Sequence, residues 1–377
     1  MKKIKFNIPL ITSESIANVK KFLSSRKPLH GPGKNIILIK KKIKNLLNFN
    51  NIYLTNSCTS ALEICALALS LKKNDEVLLP SFSFITTASS FARVGCKIKY
   101  LDIEKENLMP SFNEIKKKVT SKTKVIISLH YQGYSVDYLD KLKVFCKKKK
   151  IYLIEDAAQS FGSYFKNKAL GSFGDFACFS FHETKNIHAG TGGMLVVNNK
   201  KFINKINAIF DKGTNRYLME QNKIKYYSWI DIGSAFLMSE FMASFLYPQI
   251  KNINKIIKKR SHIFKLYKKN LQILNKKHIF LTNIYKYKYN FHAFVILLEK
   301  TSREKFLNYL EKHKINAVIS YMPLHNSKFG RKFLKNGDIL INTDKYINKV
   351  VRLPFHNSLS NNQINFITKK IIAFFKK

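Results

Sequence analysis

Acidic side chains are scarce in this sequence, and arginine is scarce among its basic ones. The 377 residues include 23 Asp and Glu against 67 Lys and Arg, which gives a formal net charge of +44. Such a charge suggests nucleic acid or an anionic membrane surface as a partner. Only seven of the basic residues are arginine, however, and arginine is the residue that reads bases and clamps phosphates. Since the lysines are spread along the chain, we expect a solvated surface and no specific nucleic-acid site.

A basic nucleic-acid-binding protein is the alternative from a different functional class. Such a protein would bind duplex DNA with an affinity that falls steeply as the salt concentration rises. Even a solvated basic surface produces a field that attracts anionic substrates such as nucleotide sugars.

Cysteine is also rare and is not spaced for chemistry. The five cysteines are an odd number without a C-x-x-C pair, and most of them lie within apolar runs. This pattern excludes a disulfide framework and the usual zinc spacings. We therefore predict reduced, buried thiols and no metal site.

Long hydrophobic runs are absent. The longest, residues 61–71, has 11 residues and still contains two polar ones, so it is too short to span a bilayer. Near the start of the sequence, Lys5, Asn7 and Pro9 interrupt any signal-peptide core. The sequence predicts a cytoplasmic protein without membrane insertion.

Core-forming residues, by contrast, are plentiful, with 45% hydrophobic and 13% aromatic residues. Because a chain of this length exceeds the usual limit of one core, we expect a large domain at 1–248 and a smaller one at 249–377. Between about residues 50 and 200, short apolar runs alternate with amphipathic stretches, as in βαβ units. The prediction is an α/β fold with a mostly parallel central sheet, helices on both its faces, and a smaller C-terminal α+β domain.

The predicted elements have definite bounds. Strands are expected at 76–79, 97–101, 124–129, 151–154, 177–180 and 194–197, with helices at 112–119 and 137–150. A long helical pattern at 239–274, β-like runs at 291–297 and 315–320 and a helical tail follow.

Polar clusters follow three of the predicted strands. They are Ser81-Phe-Ser-Phe84, His130-Tyr-Gln-Gly133 and Asp156-Ala-Ala-Gln159. In open α/β sheets, ligands bind at the carboxyl ends of the strands. The three clusters therefore predict one site at that edge of the sheet.

The most informative stretch runs from Ile151 to Asn186. An apolar strand ends in Glu155 and Asp156, and a second apolar run leads to Lys185 through C-F-S-F-H-E-T-K. A pyridoxal phosphate enzyme needs such a pair, because a carboxylate must meet the pyridine nitrogen and an amine must reach the aldehyde carbon. Strand alternation places Glu155 and Asp156 on opposite faces. Each residue also has an ordinary interpretation, Asp156 as a helix cap and Lys185 as one more surface lysine.

A phosphate site is predicted at Thr55-Asn-Ser-Cys-Thr-Ser-Ala-Leu62. The segment joins a predicted strand to an apolar helix, and its small hydroxyl residues leave backbone N–H groups open at the helix N-terminus. An ordinary Ser/Thr helix cap is the alternative. Two glycine-rich segments, 31–34 and 190–193, lack the spacing or context of a P-loop or a dinucleotide fingerprint.

Seven motifs together resemble the DegT/DnrJ/StrS sugar aminotransferases, from about Asn7 to the C-terminal helix. In order they are L-T-N-S-C-T-S-A-L-E, P-S-F-S-F-I-T-T-A, E-D-A-A-Q-S, C-F-S-F-H-E-T-K-N, K-G-T-N-R, D-I-G-S-A-F-L-M-S and Y-M-P-L-H. The resemblance implies a pyridoxal 5'-phosphate-dependent enzyme of fold type I, the aspartate-aminotransferase-like fold, working as a homodimer. Within the family the motifs look most similar to members that transfer the amino group of L-glutamate to the C4 ketone of dTDP-4-dehydro-6-deoxy-D-glucose.

The resemblance also implies roles for single residues. Lys185 would bond the aldehyde carbon, and Asp156 would pair with the pyridine nitrogen. The other implied cofactor contacts are Gln159 at the ring hydroxyl, Thr59, Ser60 and Ser180 at the phosphate, and Phe84 stacked on the ring. Where many members have G-Y-N-Y-R, this chain has Gly233-Ser-Ala-Phe-Leu237, which leaves Ser234 as the candidate phosphate contact from the second subunit.

Substrate contacts are expected from five polar residues, each of which could instead have an ordinary structural role. They are His130, Asn215, Arg216, Tyr321 and His325. One rival activity uses the same fold, because some relatives replace the lysine with histidine and dehydrate the sugar. Lys185 argues against that activity, although His182 lies close by in the sequence. No residue pattern indicates which sugar or which C4 epimer is made.

Overall fold

A seven-stranded sheet forms the centre of the protein, in a computed structural model that describes residues 2–281, 287–335 and 337–376. The strands are β1 (Ile52–Thr55), β2 (Glu76–Pro80), β3 (Lys97–Leu101), β4 (Thr123–Leu129), β5 (Tyr152–Asp156), β6 (Tyr164–Phe165), β7 (Lys168–Ala169), β8 (Phe176–Ser180), β9 (Gly193–Val197), β10 (Ile279–Leu281), β11 (Val295–Leu298) and β12 (Val350–Arg352). The central sheet has the order β1-β9-β8-β5-β4-β2-β3.

Helices connect and cover these strands. They are α1 (Ser13–Ser24), α2 (Lys34–Leu47), α3 (Cys58–Ala68), α4 (Ile85–Ala92), α5 (Phe112–Lys118), α6 (Leu139–Lys149), α7 (Ile203–Phe210), α8 (Arg216–Glu220), α9 (Glu240–Lys251), α10 (Ile253–Leu271), α11 (Arg303–Lys312), α12 (Ile341–Ile347) and α13 (Asn361–Lys376).

The central sheet is mostly parallel and has a core on each face. Strands β3, β2, β4, β5 and β8 run parallel to one another, while β9 is antiparallel to both β8 and β1. Alternation along β2 shows the two cores, because Val77 and Leu79 belong to one with α3 and α4, and Leu78 belongs to another with α5 and α6. A sheet buried on both faces requires nearly continuous apolar strands, which is what the sequence shows. The predicted α/β architecture is confirmed.

The predicted elements between residues 76 and 197 lie within two residues of the observed ones. The C-terminal predictions were less accurate. The helical pattern at 239–274 splits into α9 and α10 at Asn252, and only part of 291–297 is a strand. The run at 315–320 makes isolated bridges, Ile315 to Ile4 and Val318 to Arg352, instead of a strand. Strand β12 was missed because three residues are too few to show a period.

A three-stranded antiparallel sheet, β10-β11-β12, packs with α10, α11 and α13 around a separate C-terminal core. The change from one core to the other occurs within α10, where Ile256 packs with the central sheet and Ile263 with the C-terminal core. Residue 248, at which we divided the chain, lies inside α9. The division into 1–248 and 249–377 stays a prediction.

All five cysteines are free thiols, and four of them are buried. The Sγ atoms of Cys65, on α3, and Cys178, in the middle of β8, lie 3.7 Å apart. Within the described residues, no helix combines the length and the apolar character needed to cross a bilayer.

Candidate active site

A cavity of about 360 Å³ lies where three neighbouring parallel strands end. Leu129, Asp156 and Ser180, the last residues of β4, β5 and β8, all line it. Residues from the C-terminal region, among them Tyr321 and Arg352, line the same cavity. The cavity therefore lies at the edge of the sheet where the polar clusters predicted a site.

Asp156 is a buried carboxylate with neutral hydrogen-bond donors. The Thr87 hydroxyl donates to its Oδ2 at 2.7 Å, and the backbone N–H of Ala158 donates to its Oδ1 at 3.2 Å. In the part of the chain that the structure describes, no basic side chain forms a salt bridge with it. A buried carboxylate of this kind is stabilised by a cation, so the cavity suits a ligand with a positive group at this point.

Glu155, the neighbour of Asp156 on β5, faces the other way. The backbone N–H groups of Gly171, Phe173 and Gly174 donate to its two oxygens at 2.8, 2.6 and 2.7 Å. The Nε2 atom of His130 lies 2.8 Å from Oε2. Glu155 thus holds the link between β7 and β8 in place, and strand alternation separates the two acids as predicted.

Lys185 follows β8 and lines the same cavity as Asp156. Burial lowers the pKa of its amine to about 8 from 10.5, and the positive charge of Arg352 acts in the same direction while the Asp156 carboxylate opposes it. An amine with a lowered pKa is unprotonated more often near neutral pH, which is what attack on an aldehyde requires.

The N-terminus of α3 forms the third part of the site. Ser57 caps the helix, with its Oγ accepting from the Ser60 N–H at 3.0 Å, and Cys58 and Thr59 of the first turn line the cavity. The first N–H groups of a helix have no partner within it, and they favour a phosphate. Gly193 allows this approach, since a Cβ there would lie 2.3 Å from the Ser57 carbonyl carbon.

A family model described as the DegT/DnrJ/EryC1/StrS aminotransferase family matches residues 9–372. The chain belongs to this family. Its resemblance to the family, inferred from seven motifs, is thereby confirmed along nearly the whole chain.

Two relatives of this chain have different nucleotide sugars in their names. The GDP-perosamine synthase of Escherichia coli O157:H7 is 29% identical, over 84% of each chain. The UDP-4-amino-4,6-dideoxy-N-acetyl-beta-L-altrosamine transaminase of Campylobacter jejuni is 27% identical, over 92% of this chain and 91% of the relative.

Solved structures show the same fold. Helicobacter pylori PseC, an aminotransferase involved in the biosynthesis of pseudoaminic acid, gives a TM-score of 0.91 at 22% identity over 100% of both chains. The aminotransferase TlmJ from Streptoalloteichus hindustanus gives 0.90 at 20% identity over 99% of both chains. Together with the order of the central sheet, these likenesses establish fold type I.

DegT-family aminotransferases use pyridoxal 5'-phosphate, and the cavity of this family member fits that cofactor. Asp156 is a buried anion suited to the protonated pyridine nitrogen, and the N-terminus of α3 offers donors to the phosphate. Lys185 supplies an amine to the space between them. The predicted cofactor is confirmed, whereas the roles of the single residues stay predictions.

The other predicted cofactor contacts are also close to this cavity. Phe84, Gln159 and Ser180 line it, and the Phe84 side chain is 54% exposed at its mouth. The Gln159 amide donates to the Tyr321 hydroxyl and accepts from the Gln132 N–H at 2.7 Å, so its orientation is set from both ends. Ser60, by contrast, is buried behind the first turn of α3, where its hydroxyl donates to Asn56.

The predicted substrate contacts fall into two groups, one inside the cavity and one outside it. Tyr321 lines the cavity. His130 does not, because it is fully buried against Glu155, and His325 is buried between the Ser81 hydroxyl and the Asp344 carboxylate. These two expectations are corrected, since both imidazoles stabilise the fold where we expected contact with substrate.

Asn215 and Arg216 also lie outside the cavity of this chain. Asn215 accepts from the Ser228 N–H at 2.6 Å, and the Arg216 Nε lies 3.4 Å from Glu220. The structure of one chain therefore does not place them at the substrate. Ser234 is likewise exposed and away from the cavity.

The cavity residues that sequence reasoning missed include Thr87, Arg352 and His292. Thr87 lies in the first turn of α4 after a polar strand end, a signal that was present but not used. Arg352 is one of seven arginines in a chain that otherwise uses lysine, which marks it as unusual. His292 stands in an apolar run, where a buried structural histidine is the ordinary interpretation.

Proposed function

We propose that this protein transfers the amino group of L-glutamate to the C4 ketone of a nucleotide-linked 4-keto-6-deoxy sugar. The observation that carries the proposal is the convergence of Asp156, Lys185 and the N-terminus of α3 on one cavity. When bound there, pyridoxal phosphate supplies an electron sink that stabilises a negative charge on the carbon undergoing proton transfer.

Asp156 is proposed to orient the cofactor through its pyridine nitrogen. The Thr87 hydroxyl and the Ala158 N–H each hydrogen-bond to one of its two carboxylate oxygens, which fixes the orientation of the carboxylate. Phe84 would cover the ring, and Gln159 would face the ring hydroxyl. Two segments, 84–87 and 156–159, would thus hold the cofactor by charge, stacking and hydrogen bonds.

Lys185 is proposed to do the proton transfer. Its amine would hold the cofactor through the aldehyde carbon, and once the amine of glutamate has displaced it, the same amine would carry a proton away from the α-carbon of glutamate. The same amine returns a proton when the sugar ketone is aminated. General acid–base help of this kind is worth about 10²–10⁴-fold in rate.

Lys185→Ala tests the core of the proposal. The variant should lose turnover and should no longer show a cofactor trapped by borohydride, because reduction requires the bond to the lysine. Retained trapping at another lysine would overturn the assignment. Release of 2-oxoglutarate in proportion to amino sugar separates transamination from the dehydration that histidine-containing relatives perform.

We propose dTDP-4-dehydro-6-deoxy-D-glucose as the keto sugar, giving dTDP-4-amino-4,6-dideoxy-D-galactose. The support is the detailed likeness of the F-S-F-H-E-T-K-N and G-T-N-R motifs to transaminases of that substrate. The two named relatives carry GDP and UDP in their names, so the nucleotide is the part of the proposal that needs its own experiment.

The experiment offers the purified enzyme three keto sugars that differ in their nucleotide, namely dTDP, GDP and UDP. Formation of amino sugar is followed by mass spectrometry, and the C4 epimer by nuclear magnetic resonance. A kcat/KM highest for dTDP supports the proposed substrate. Preference for another nucleotide rejects the substrate and leaves the aminotransferase assignment intact.

A homodimer is proposed from exposed apolar side chains at the mouth of the cavity and in the segment 226–232. Phe84 and Ile85 at the mouth are 54% and 65% exposed, and Trp229 and Ile232 are 81% and 69% exposed. Large apolar side chains of this kind mark an interaction surface. Arg216 and Ser234 lie in the same part of the chain, from which they would reach the partner's cavity. Analytical ultracentrifugation should give twice the chain mass, and Trp229→Ser should lower it.

A further inference from the structure

Asn186, the residue after Lys185, has a buried side chain whose amide is used at both ends. One end lies 2.7 Å from the backbone carbonyl of Asn290, and because a carbonyl can only accept, this end is the amide nitrogen. The other end is therefore the oxygen, and it lies 3.2 Å from Nδ1 of His292. Nδ1 must carry the proton of that imidazole and donate it to the oxygen. The segment 290–292 thus holds one amide from both sides.

Lys185 itself lies in a turn that belongs to neither a helix nor a strand. Residues 181–190 have no regular structure, and the backbone N–H of Lys185 donates within the same turn, to the His182 carbonyl at 2.9 Å. Contacts from the turn to distant segments therefore help to decide where the amine of Lys185 stands. The amide of Asn186 makes two such contacts from the adjacent position in the chain.

The side chain of Asn290 ties the segment 290–292 to the part of the chain that follows Asp156. Its Nδ2 donates to the carbonyls of Gln159 and Phe161, at 2.8 and 3.1 Å. The same residue thus bonds both sides of the cavity, the turn of Lys185 through its backbone carbonyl and the segment after Asp156 through its side chain. A displacement of one side is transmitted to the other through these buried hydrogen bonds.

Phe291, between these two contacts, has a left-handed backbone with a φ of 52°. A bulky residue rarely adopts this conformation, and such strain persists where the surrounding structure enforces it, often at functional sites. Arg260 enforces it here by donating to the carbonyls of Phe291 and His292, at 2.9 and 2.6 Å. Because Asn290 and His292 flank Phe291, its conformation sets how the carbonyl of one and the imidazole of the other meet the amide of Asn186.

We propose that Asn186 is a positioning residue that holds the amine of Lys185 in place for the cofactor, and that the strained segment 290–292 acts through it. This inference rests on the proposed function and adds the residues that aim its lysine. Neither Asn186 nor Phe291 lines the cavity. Their effect should therefore fall on the reaction of the lysine with the cofactor aldehyde and leave the binding of the cofactor ring and phosphate unchanged.

The test separates the bond to Lys185 from the other cofactor contacts. Pyridoxine 5'-phosphate has an alcohol in place of the aldehyde, and in Asn186→Leu its affinity for the full-length apoenzyme, measured by fluorescence, should stay near that of the wild type. The rate at which the lysine captures pyridoxal phosphate, followed by stopped-flow absorption, should fall about 10- to 100-fold, because two buried hydrogen bonds are lost and a misplaced reacting group is costly. Asn199→Leu is the matched control, since that amide is also used at both ends but lies outside the cavity, and it should change neither.

A pair of substitutions at Phe291 gives a second test. Phe291→Asn and Phe291→Val both remove the ring, but asparagine adopts the left-handed conformation readily and β-branched valine does not. The capture rate should therefore fall little in Phe291→Asn and should fall as far as in Asn186→Leu in Phe291→Val. Because Phe291 acts through Asn186, the double variant with Val and Leu should be no slower than Asn186→Leu alone.

The outcomes separate the two proposals. A wild type that does not convert glutamate to 2-oxoglutarate rejects the proposed function. A wild type that does so, together with an Asn186→Leu variant that captures pyridoxal phosphate at the wild-type rate or loses pyridoxine phosphate to the same extent, rejects the positioning role alone. Additive losses in the double variant also reject it. If Asn186→Leu does not fold, equal capture rates in the two Phe291 variants reject it.

Discussion

The two faces of strand β5 use an acidic side chain in different ways. Asp156, on the cavity face, receives hydrogen bonds from one hydroxyl and one backbone N–H. Glu155, on the opposite face, receives three backbone N–H bonds and the His130 imidazole. One acid therefore has room for an external cation, and the other has its oxygens fully used within the fold.

The difference teaches how to tell a ligand-binding carboxylate from a structural one. A carboxylate has about four acceptor sites, and internal donors that fill them leave none for a ligand. Both acids are buried, so burial alone does not distinguish them. What distinguishes them is the balance between internal donors and open cavity.

Removal of the cavity-face acid should have the largest effect. In Asp156→Ala, turnover should fall by about 100-fold to a few thousand-fold, because breaking a buried charge pair costs about 3–5 kcal/mol and each 1.4 kcal/mol is tenfold. The melting temperature of the apoenzyme should not fall, since no partner charge is left behind. Steady-state kinetics measures the turnover and thermal unfolding measures the melting temperature, with Asp140→Ala, a half-exposed acid outside the cavity, as control. A stable fold with unchanged turnover would contradict the assignment.

Removal of Glu155, the acid on the opposite face of β5, should lower the stability and leave the turnover nearly unchanged. Glu155→Gln should lower the free energy of unfolding by about 3–5 kcal/mol, because it removes a buried charge that several donors share. Turnover per folded molecule should remain close to that of the wild type. Denaturant titration of the apoenzyme measures the free energy of unfolding. Kinetics normalised to the concentration of active sites measures the turnover. A variant that keeps its stability but loses turnover would show that Glu155 belongs to the active site.

A smaller effect is expected from the hydroxyl that supports Asp156. Thr87→Val removes a 2.7 Å hydrogen bond to the carboxylate and should weaken cofactor binding about 10- to 100-fold, the usual range for a bond to a charged group. Ser90→Ala removes a buried hydroxyl of the same helix that donates only to the Thr86 carbonyl, so it is the matched control. Fluorescence titration of each apoenzyme variant with pyridoxal phosphate measures the affinity for the cofactor. An equal loss of affinity in the two variants would contradict a specific role of the Thr87 hydroxyl.

The smallest effect concerns the pH dependence of the reaction between pyridoxal phosphate and the amine of Lys185, which lines the same cavity. With the pKa of Lys185 at about 8, the unprotonated fraction of its amine rises as pH rises through 8. The rate at which apoenzyme captures pyridoxal phosphate should therefore increase about tenfold between about pH 7 and 9 and then level off. An ordinary lysine would still be gaining reactivity at pH 9. Stopped-flow absorption measures the rate, and a rise without levelling would show that the cavity leaves the amine unperturbed.

Much of this site was readable from the sequence. The E-D-A-A-Q-S and F-S-F-H-E-T-K-N strings gave Asp156 and Lys185 because strand alternation and strand ends follow from local pattern. Local pattern failed for His130, which follows a strand end like Asp156 but turns to Glu155. It also gave no role to Arg352, whose position in the cavity depends on β12 pairing with β11, more than 50 residues away in the sequence.

The sequence by itself determined the α/β class, the central-sheet strands between residues 76 and 197, the family and the cofactor, since these depend on short-range periodicity and on contiguous motifs. Only the tertiary structure decided which polar side chains meet in the cavity. It withdrew His130 and His325 into the core and added Thr87, His292 and Arg352. The physical reason is that folding brings the partners of a side chain together from distant segments. The local pattern of one segment carries no information about where the other segments will lie.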